Sequence, residues 1–433
     1  MGHTLSTSEK YGSRTSRSRL LVVTTIGNAL EFFDFTVFGY FAIVIGRLFF
    51  APMSAEGQLM SSLATFGVGF LMRPLGGVVF GIYADRAGRR AAMTLTLTLM
   101  MVGVCLAGLA PTYAQVGIAG PILMVLARLI QGLSAGGEVG PATTLLLEHA
   151  PAGSRAFYTS WQLGSQGLGI AAGAASAALL THFLPEEQLY AWGWRLPFLL
   201  GAAILPVGIA LRRQLSEIET EYPQSTTGSD SAIPLRDLFH SHFRHLAAGV
   251  LLIMGATVAA YLITFFIPTY SIRDLKLGES ASYACAVASG IVIAIVAPIA
   301  GKVTDRVGRK IPIVFARLLL IASLYPMYAW LSSAPTAGRL LVTVVFLSVL
   351  LTIQGAATIS LIPVLFPRHV RATGTGTVYS FGVALFGGST QLAAVWLISA
   401  TGNRLSPAIA TTAVLIVSTL SLLLIGSEAD AET

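Results

Sequence analysis

The chain has 433 residues, of which 54% are hydrophobic and only 11% are charged, and its formal net charge is +7. Soluble domains carry about 25% charged residues, so this chain has too little charge to cover a soluble surface. It is predicted to be an all-α integral membrane protein in a lipid bilayer. The positive charge stands in short segments beside long apolar runs, which is typical of membrane-orientation signals and argues against a nucleic-acid partner.

Twelve apolar runs are long enough to be transmembrane helices, each of which needs about 20 apolar residues. They lie near residues 20–46, 58–83, 91–110, 116–147, 157–182, 193–212, 245–270, 281–303, 311–332, 339–363, 373–400 and 405–426. A long polar segment divides them into two groups of equal number, so the sequence predicts two six-helix halves.

The polar segments define the predicted domain organisation. We expect a disordered cytoplasmic tail, an N-terminal half, a cytoplasmic linker with a short surface helix near 235–240, a C-terminal half and a second cytoplasmic tail. In order, these are residues 1–19, 20–213, 214–243, 244–426 and 427–433. Most Lys and Arg residues fall in segments on the same side as the N-terminus, which places both termini of this multi-pass chain in the cytoplasm.

A ten-residue pattern, G-x-x-x-D-R-x-G-R-[RK], occurs twice, at 81–90 and at 301–310. The first copy joins the second and third apolar runs, and the second copy joins the eighth and ninth. A duplication with identical spacing indicates two equivalent halves, and internal repeats of this kind are typical of transporters.

Each copy supplies the parts of a tight turn between helices. Gly88 and Gly308 permit the reversal of the chain. Asp85 and Asp305 can pair with a neighbouring arginine or with a helix N-terminus, where negative charge is favoured. The arginines alone could be orientation anchors, but the duplicated aspartate favours a gate. The candidate gating residues are Gly81, Asp85, Arg86, Gly88, Arg89, Asp305, Arg306 and Arg309.

Ionisable side chains inside the apolar runs are functional candidates, because each costs about 2.5–3.5 kcal/mol to insert into a membrane. The first run carries Asn28, Glu31 and Asp34. The i, i+3 spacing of Glu31 and Asp34 puts both carboxylates on one helix face. Two adjacent carboxylates in a low dielectric do not both ionise readily, so we expect one of them to carry a proton.

The fourth run carries Arg128, Gln131 and Glu138, which share one helix face. Arg128 can hold a carboxylate bidentately, which lysine cannot, and Glu138 is a third candidate proton carrier. The alternative is that the charges form buried pairs that only fix helix packing, such as Arg128 with Asp34 or Glu31.

Other polar residues in the apolar runs give less specific predictions of function. Arg73, in the second run, is either a site residue or a packing charge, and Arg317 is expected to snorkel to the membrane interface. Gln162 and Gln166 lie on one face of the fifth run, where they either hold helices together or bind substrate oxygens. The C-terminal half offers mainly neutral groups, which are Thr264, Tyr270, Gln354, Tyr379 and Gln391. This asymmetry places the charged chemistry in the first half.

The repeated turn resembles the motif of the major facilitator superfamily, and the resemblance covers the whole chain. It implies twelve helices in two halves that work by alternating access. In that family the aspartate and arginine of the motif lock the halves together on the cytoplasmic side when the outside is open. The resemblance carries this role to Asp85, Arg86, Arg89, Asp305 and Arg309.

Three further segments together resemble the bacterial metabolite:proton symporter family. They are Gly27-Asn28-x-x-Glu31-x-x-Asp34-Phe35, Arg73-Pro74-Leu75-Gly76 and Arg128-x-x-Gln131-Gly132-x-Ser134-Ala-Gly136-Gly137-Glu138. The segments at 160–166, 261–269 and 379–388 most resemble its citrate and tricarballylate carriers. The sequence differs from this pattern at two positions. Gln391 stands where the resemblance leads us to expect a proline, and Arg317 stands where it leads us to expect an uncharged residue.

These features predict proton-coupled uptake of a di- or tricarboxylate, with citrate or tricarballylate as the first choice. The predicted substrate-binding residues are Arg128, Asn28, Gln162, Gln166, Tyr379 and Arg73, and the predicted proton-coupling residues are Asp34, Glu31 and Glu138. We expect a monomer in the bacterial inner membrane that is driven by the proton gradient, without a cofactor or a metal.

The alternatives within the family are 2-oxoglutarate, shikimate, betaine and proline as substrates. A transporter-like receptor is a more distant alternative. An enzyme is not expected, because the sequence shows no nucleophile–base pairing, metal-ligand spacing or phosphate loop, and function has to be argued from a site.

Overall fold

The computed structural model describes residues 6–87, 89–213, 242–367 and 370–425, and within these ranges the chain is helical with no strand. The N-terminal half contains α1 Ser6–Tyr40, α2 Ala42–Phe49, α3 Ala55–Leu71, α4 Arg73–Ala87, α5 Arg89–Leu109, α6 Tyr113–Val116, α7 Ala119–Gly136, α8 Val139–Glu148, α9 Arg155–Phe183, α10 Glu186–Ala191 and α11 Leu196–Arg213. The C-terminal half contains α12 Phe243–Ala260, α13 Ile267–Arg273, α14 Glu279–Val307, α15 Lys310–Ser333, α16 Ala337–Leu361, α17 Arg371–Thr401 and α18 Ser406–Leu420. Tyr261–Phe266, between α12 and α13, is π-helical.

The described helices agree with the predicted membrane spans. Among the described residues, 10 helices are long and apolar enough to cross a membrane. The predicted third and sixth spans correspond to α5, whose apolar stretch is Thr94–Leu109, and to α11. For these two helices the crossing of the membrane stays a prediction.

The prediction of a disordered tail at 1–19 is wrong for residues 6–19, because α1 begins at Ser6. This stretch contains no proline and a single glycine, so no residue in it forces the helix to end. The predicted surface helix near 235–240, most of the linker and the tail at 427–433 lie outside the described residues.

Two helix pairs form the main contacts between the halves, α9 with α14 and α3 with α17. The helices α9 and α14 run antiparallel, since Gly290 meets Ala171 whereas Gly301 meets Ala156. In the second pair, Gly67 of α3 faces Gly388 of α17 backbone to backbone. Small residues at these positions let helix backbones approach closely, which is how helices pack in a bilayer.

The halves touch each other at both ends of the bundle. We call the end that carries Arg155 and Asp305 the motif face, and the other end the opposite face. At the motif face, α14 contacts the first turn of α9 through Asp305. Towards the opposite face, the Tyr283 hydroxyl donates to the carbonyl of Tyr40, and the Tyr40 hydroxyl donates to the carbonyl of Thr264, each over 2.7 Å. The interior between these contacts is therefore enclosed.

Candidate functional site

The middle of α1 carries the first cluster of polar side chains in this enclosed interior. Asn28, Glu31 and Asp34 follow one another at three-residue spacing and are all buried. Because residues three apart share a helix face, α1 directs all three towards neighbouring helices of its own half. The face predicted for Glu31 and Asp34 is consistent with their pairing with two arginines of the same half.

Asp34 pairs with Arg128 of α7. Arg128 Nη1 lies 2.9 Å from Asp34 Oδ2, and Gln131 Nε2 donates to Asp34 Oδ1 over 3.3 Å. The guanidinium carbon of Arg128 lies 3.9 Å from the centre of the Phe38 ring. The aromatic face adds a favourable cation–π contact, so this buried charge has both an ionic partner and an apolar support.

Glu31 pairs with Arg73, the first residue of α4. Arg73 Nη2 lies 2.8 Å from Glu31 Oε1, and the guanidinium stands 4.5 Å from the Phe70 ring centre. The phenols of Tyr261 and Tyr379, in the other half, are close enough to interact electrostatically with Arg73 and Glu31. The Arg73–Glu31 pair thus lies at the junction of the halves.

Close helix packing holds the two arginines in place. A side chain at Gly132 would overlap the backbone carbonyl of Gly69, and one at Gly136 would overlap that of Arg73. The pair Gly132 and Gly136 follows the G-x-x-x-G spacing by which small residues bring helices together. This contact fixes the position of Arg73 relative to α7, the helix that carries Arg128.

Several donors of the two arginines remain available. Among the described residues, no hydrogen-bond partner meets Arg128 Nε, Arg128 Nη2 or Arg73 Nε, although all three atoms are buried. Buried donors without partners are costly, at about 1–3 kcal/mol each. A substrate carboxylate would satisfy Nε and Nη2 of Arg128 together, since a guanidinium offers its donors in a planar fork.

Three neutral residues of the predicted site belong to α1 and α9. Asn28 Nδ2 donates to the carbonyl of Gln162 over 2.7 Å and to Ser165 Oγ over 2.9 Å. Both polar atoms of the Gln162 side chain, and Asn28 Oδ1, have no partner in the described part of the chain. Gln166 interacts electrostatically with Tyr379 of α17, across the junction of the halves, and its Nε2 has no hydrogen-bond partner in the described part of the chain. Amide donors and acceptors are therefore vacant beside the arginines.

Glu138 is the third predicted proton carrier, and it lies two residues beyond the end of α7. It lies between α7 and α8, half-buried, ten residues beyond Arg128. A direct role beside Asp34 stays a prediction.

The second copy of the repeated turn has the predicted geometry. Asp305 accepts hydrogen bonds from the backbone N–H groups of Ala156 and Phe157, at 2.7 and 2.9 Å. These are at the N-terminus of α9, where the helix dipole favours negative charge, so the prediction of a helix N-terminus as the partner is confirmed. Gly308 has a φ of 83°, which confirms its role in the reversal of the chain.

The other gating residues are only partly visible. Arg309 is buried and interacts electrostatically with Asp305, whereas Arg306 is exposed. Of the first copy, Gly81, Asp85, Arg86 and Arg89 have helical backbone but their side chains lie outside the described part, as does the whole of Gly88. Their gating role stays a prediction.

The expectation that Arg317 snorkels to the interface is wrong. The side chain is fully buried, and it donates to Gln354 Oε1, Ser418 Oγ and the carbonyl of Leu252 over 3.1, 2.6 and 2.7 Å. Three acceptors from three other helices satisfy the guanidinium inside the C-terminal half, so it has no need to reach water.

Sequence reasoning did not include Ser165 and Tyr261 among the site residues. Ser165 carries no charge, so only its contact with Asn28 reveals it. Tyr261 begins the π-helical segment, an irregularity that is frequent at functional sites. Its polar side chain inside an apolar run was a usable signal.

Comparison with known proteins identifies the family. A profile of the Major Facilitator Superfamily matches residues 24–389. The citrate-proton symporter of Salmonella typhi is 36% identical over 398 residues, which cover 91% of each protein. The glycine betaine/proline/ectoine/pipecolic acid transporter OusA of Dickeya dadantii is 31% identical over 399 residues, which cover 90% of this chain and 79% of that protein.

A solved transporter structure has the same fold. The xylose transporter XylE from E. coli, in a partially occluded inward-open conformation, superposes with a TM-score of 0.76 at 15% identity, covering 95% of this chain and 98% of that chain. Since the profile spans most of the sequence and the helices share this fold, the chain belongs to the major facilitator superfamily, a family of transporters rather than enzymes.

Proposed function

We propose that this chain is a proton-coupled secondary transporter that imports a di- or tricarboxylate, citrate or tricarballylate, by alternating access. The observation that carries the proposal is the buried Arg128, which gives one donor to Asp34 and has two further donors without partners among the described residues. Two neighbouring N–H donors of a guanidinium fit one carboxylate group, and Arg73 offers a second cation for a second carboxylate. The citrate-proton symporter among the relatives supports the same substrate class.

The substrate is assigned to both arginines and the amides around them. Arg128 and Arg73 would hold two of its carboxylates. Asn28, Gln162, Gln166 and Tyr379 would donate or accept hydrogen bonds from its remaining oxygens. Moving an anion from water into this interior costs free energy unless cations and hydrogen-bond donors replace its hydration shell. The described interior offers both.

Proton coupling follows from competition for Arg128. While Asp34 is ionised, it occupies part of the guanidinium and repels an incoming carboxylate. When Asp34 takes up a proton, Arg128 is released to bind the substrate, and one substrate carboxylate replaces the negative charge that Asp34 has lost. Glu31 has the same relationship to Arg73, and Glu138 is the third candidate proton carrier.

Gating is assigned to the contacts at the motif face. Asp305 on the N-terminus of α9, with Arg306, Arg309 and the residues of the first copy, would hold the halves together there while the opposite face opens. The protein would act as a monomer in the bacterial inner membrane, with the motif face and both termini in the cytoplasm. The distribution of Lys and Arg supports this orientation.

The test is uptake of radiolabelled citrate into proteoliposomes that contain the purified chain, with and without an imposed inward proton gradient. We expect accumulation that requires the gradient and is lost in Arg128→Ala. Arg404→Ala, which removes an exposed arginine, is the control and should transport like the wild type. Gradient-independent uptake, or full uptake by the Arg128 variant, contradicts the proposal.

A zwitterionic substrate is the second candidate, and the similarity to OusA favours it. Labelled betaine and proline are therefore assayed in the same vesicles. Their uptake, with no inhibition by excess citrate, would replace the carboxylate assignment and leave the transporter assignment in place.

A further inference from the structure

Gln391 of α17 is a buried amide that the site described above does not include. Its side chain is fully buried, and neither Oε1 nor Nε2 meets a hydrogen-bond partner among the described residues. It lies between the halves, because a side chain at Gly39 of α1 would stand 3.7 Å from Gln391 Nε2. A polar group with every hydrogen bond unmade at this junction is costly to keep, which points to a ligand.

Tyr261 is a second buried polar residue in this region of the C-terminal half. Its ring stacks on Phe265, with 5.0 Å between centroids, and Phe265 also stands beside Gly39. Gly387, one helical turn before Gln391, faces the Tyr261 ring. Gln391 and the Tyr261 hydroxyl, which also lacks a partner among the described residues, thus belong to one polar patch on the C-terminal half. This patch borders the N-terminal half at Gly39 of α1 and at Phe70 of α3.

A packing role does not account for this patch. Gln354, another buried amide of the same half, accepts from Arg317 over 3.1 Å and so holds helices together. Gln391 makes no comparable bond within the described chain. An apolar side chain of the same size would pack there without the cost of unmade hydrogen bonds.

We propose that Gln391, with Tyr261 beside it, binds the hydroxyl group of a hydroxylated polycarboxylate and thereby selects citrate over tricarballylate. This inference rests on the proposed function. Ionised carboxylates only accept hydrogen bonds, and the guanidinium donors for them lie on the N-terminal half. The side chain of Gln391 has a vacant donor and a vacant acceptor, so it is complemented by a group that both accepts and donates a hydrogen bond. In citrate, the hydroxyl is the group that can do both.

The test measures uptake of labelled citrate and labelled tricarballylate by the wild type and by Gln391→Met, which keeps the length of the side chain. We expect kcat/KM for citrate to fall about tenfold or more, while tricarballylate is transported as well as before or better. Gln354→Met is the matched control, and its citrate-to-tricarballylate ratio should equal that of the wild type. An unchanged ratio in Gln391→Met overturns the inference.

A second measurement needs no variant. In the wild type, citrate should inhibit labelled citrate uptake at a concentration about tenfold or more below that of tricarballylate, because a site built to bind a hydroxyl rejects an analogue without one. Equal inhibition overturns the inference even if Gln391→Met fails to fold. A wild type that takes up neither compound refutes the proposed function instead, so the two failures are distinguishable.

Discussion

Arg128 and Asp34 form an ion pair, 2.9 Å between Nη1 and Oδ2, in which neither side chain is more than 3% exposed. The guanidinium gives this carboxylate one N–H group, although its fork could grip a carboxylate with two. The pair is therefore close enough to be stable in the interior and open enough to accept a second anion. A substrate carboxylate and Asp34 then compete for the same cation.

A double variant separates the transport role of this pair from a packing role. Arg128→Met alone leaves Asp34 as an unpaired buried charge, which costs about 3–5 kcal/mol, so both stability and uptake should fall. Arg128→Met with Asp34→Asn removes both charges and should recover most of the thermal stability of the purified protein, but not citrate uptake. Recovery of uptake together with stability would show that the pair only fixes helix packing.

The contact of Asp305 with α9 predicts a change in access at the motif face. Asp305→Asn loses the charge and one of the two acceptor oxygens that meet the backbone of Ala156 and Phe157. Bonds to a charged group contribute about 1.5–3 kcal/mol each, so the closed state of this face should lose at least about tenfold in population.

The measurement is the alkylation rate of Thr304→Cys, in a background without the native cysteines, by a water-soluble maleimide. Thr304 is buried beside Asp305 and Ala156, so the rate reports opening of this face. We expect a rate several-fold higher with Asp305→Asn and no change with Glu148→Gln, at an exposed position at the end of α8 to which no gating role is assigned. Equal rates in all three proteins would exclude Asp305 from the closure.

The sequence predicts the helices well because hydropathy alone marks a membrane span. It also narrows the partner of Arg128 to Asp34 or Glu31. Both carboxylates lie on one helix face, so only the positions of α4 and α7 in the folded bundle decide which arginine meets which carboxylate. The pairing of Glu31 with Arg73 has the same origin.

The contribution of the C-terminal half was harder to predict. A sequence gives the face of a helix on which Gln391 lies, but not which helix of the other half stands opposite it. The π-helical geometry at Tyr261 has no local sequence signal. Arg317 was misjudged because its acceptors, Gln354 and Ser418, are distant in the chain and meet only in the folded half.

The close contact of α7 with the start of α4 predicts that Gly136 controls the position of Arg73. Gly136→Val would push against the backbone carbonyl of Arg73, and overpacking of this kind costs about 1–3 kcal/mol. We expect a lower melting temperature and a loss of citrate uptake larger than the loss of folded protein, because Arg73 moves away from Glu31. Gly338→Ala, where nothing lies within 4 Å, is the control. Uptake that falls only in proportion to folded protein would contradict a role in positioning.

Asp274, which follows α13 at the opposite face, predicts a pH-dependent stability. Burial raises the pKa of its carboxyl above the ordinary value, and the nearby Arg273, Arg404 and Lys276 offset this only in part. Its Oδ2 is buried without a hydrogen-bond partner among the described residues, which is consistent with a poorly stabilised anion. The folded state therefore holds this proton up to a higher pH than the unfolded state does.

The sign of the effect follows from linkage. The stability that protonated Asp274 contributes is fully present below the pKa of the unfolded chain and is lost as the pH rises through the higher pKa of the folded chain. Asp274→Asn, which resembles the protonated form at every pH, should therefore gain in melting temperature relative to the wild type between about pH 4 and pH 7. The measurement is thermal unfolding of the purified protein across this range, with Glu187→Gln, an exposed position on the same face, as the control. A difference that is constant with pH, or that shrinks as the pH rises, would show that the ionised carboxylate is stabilised by the three cations after all.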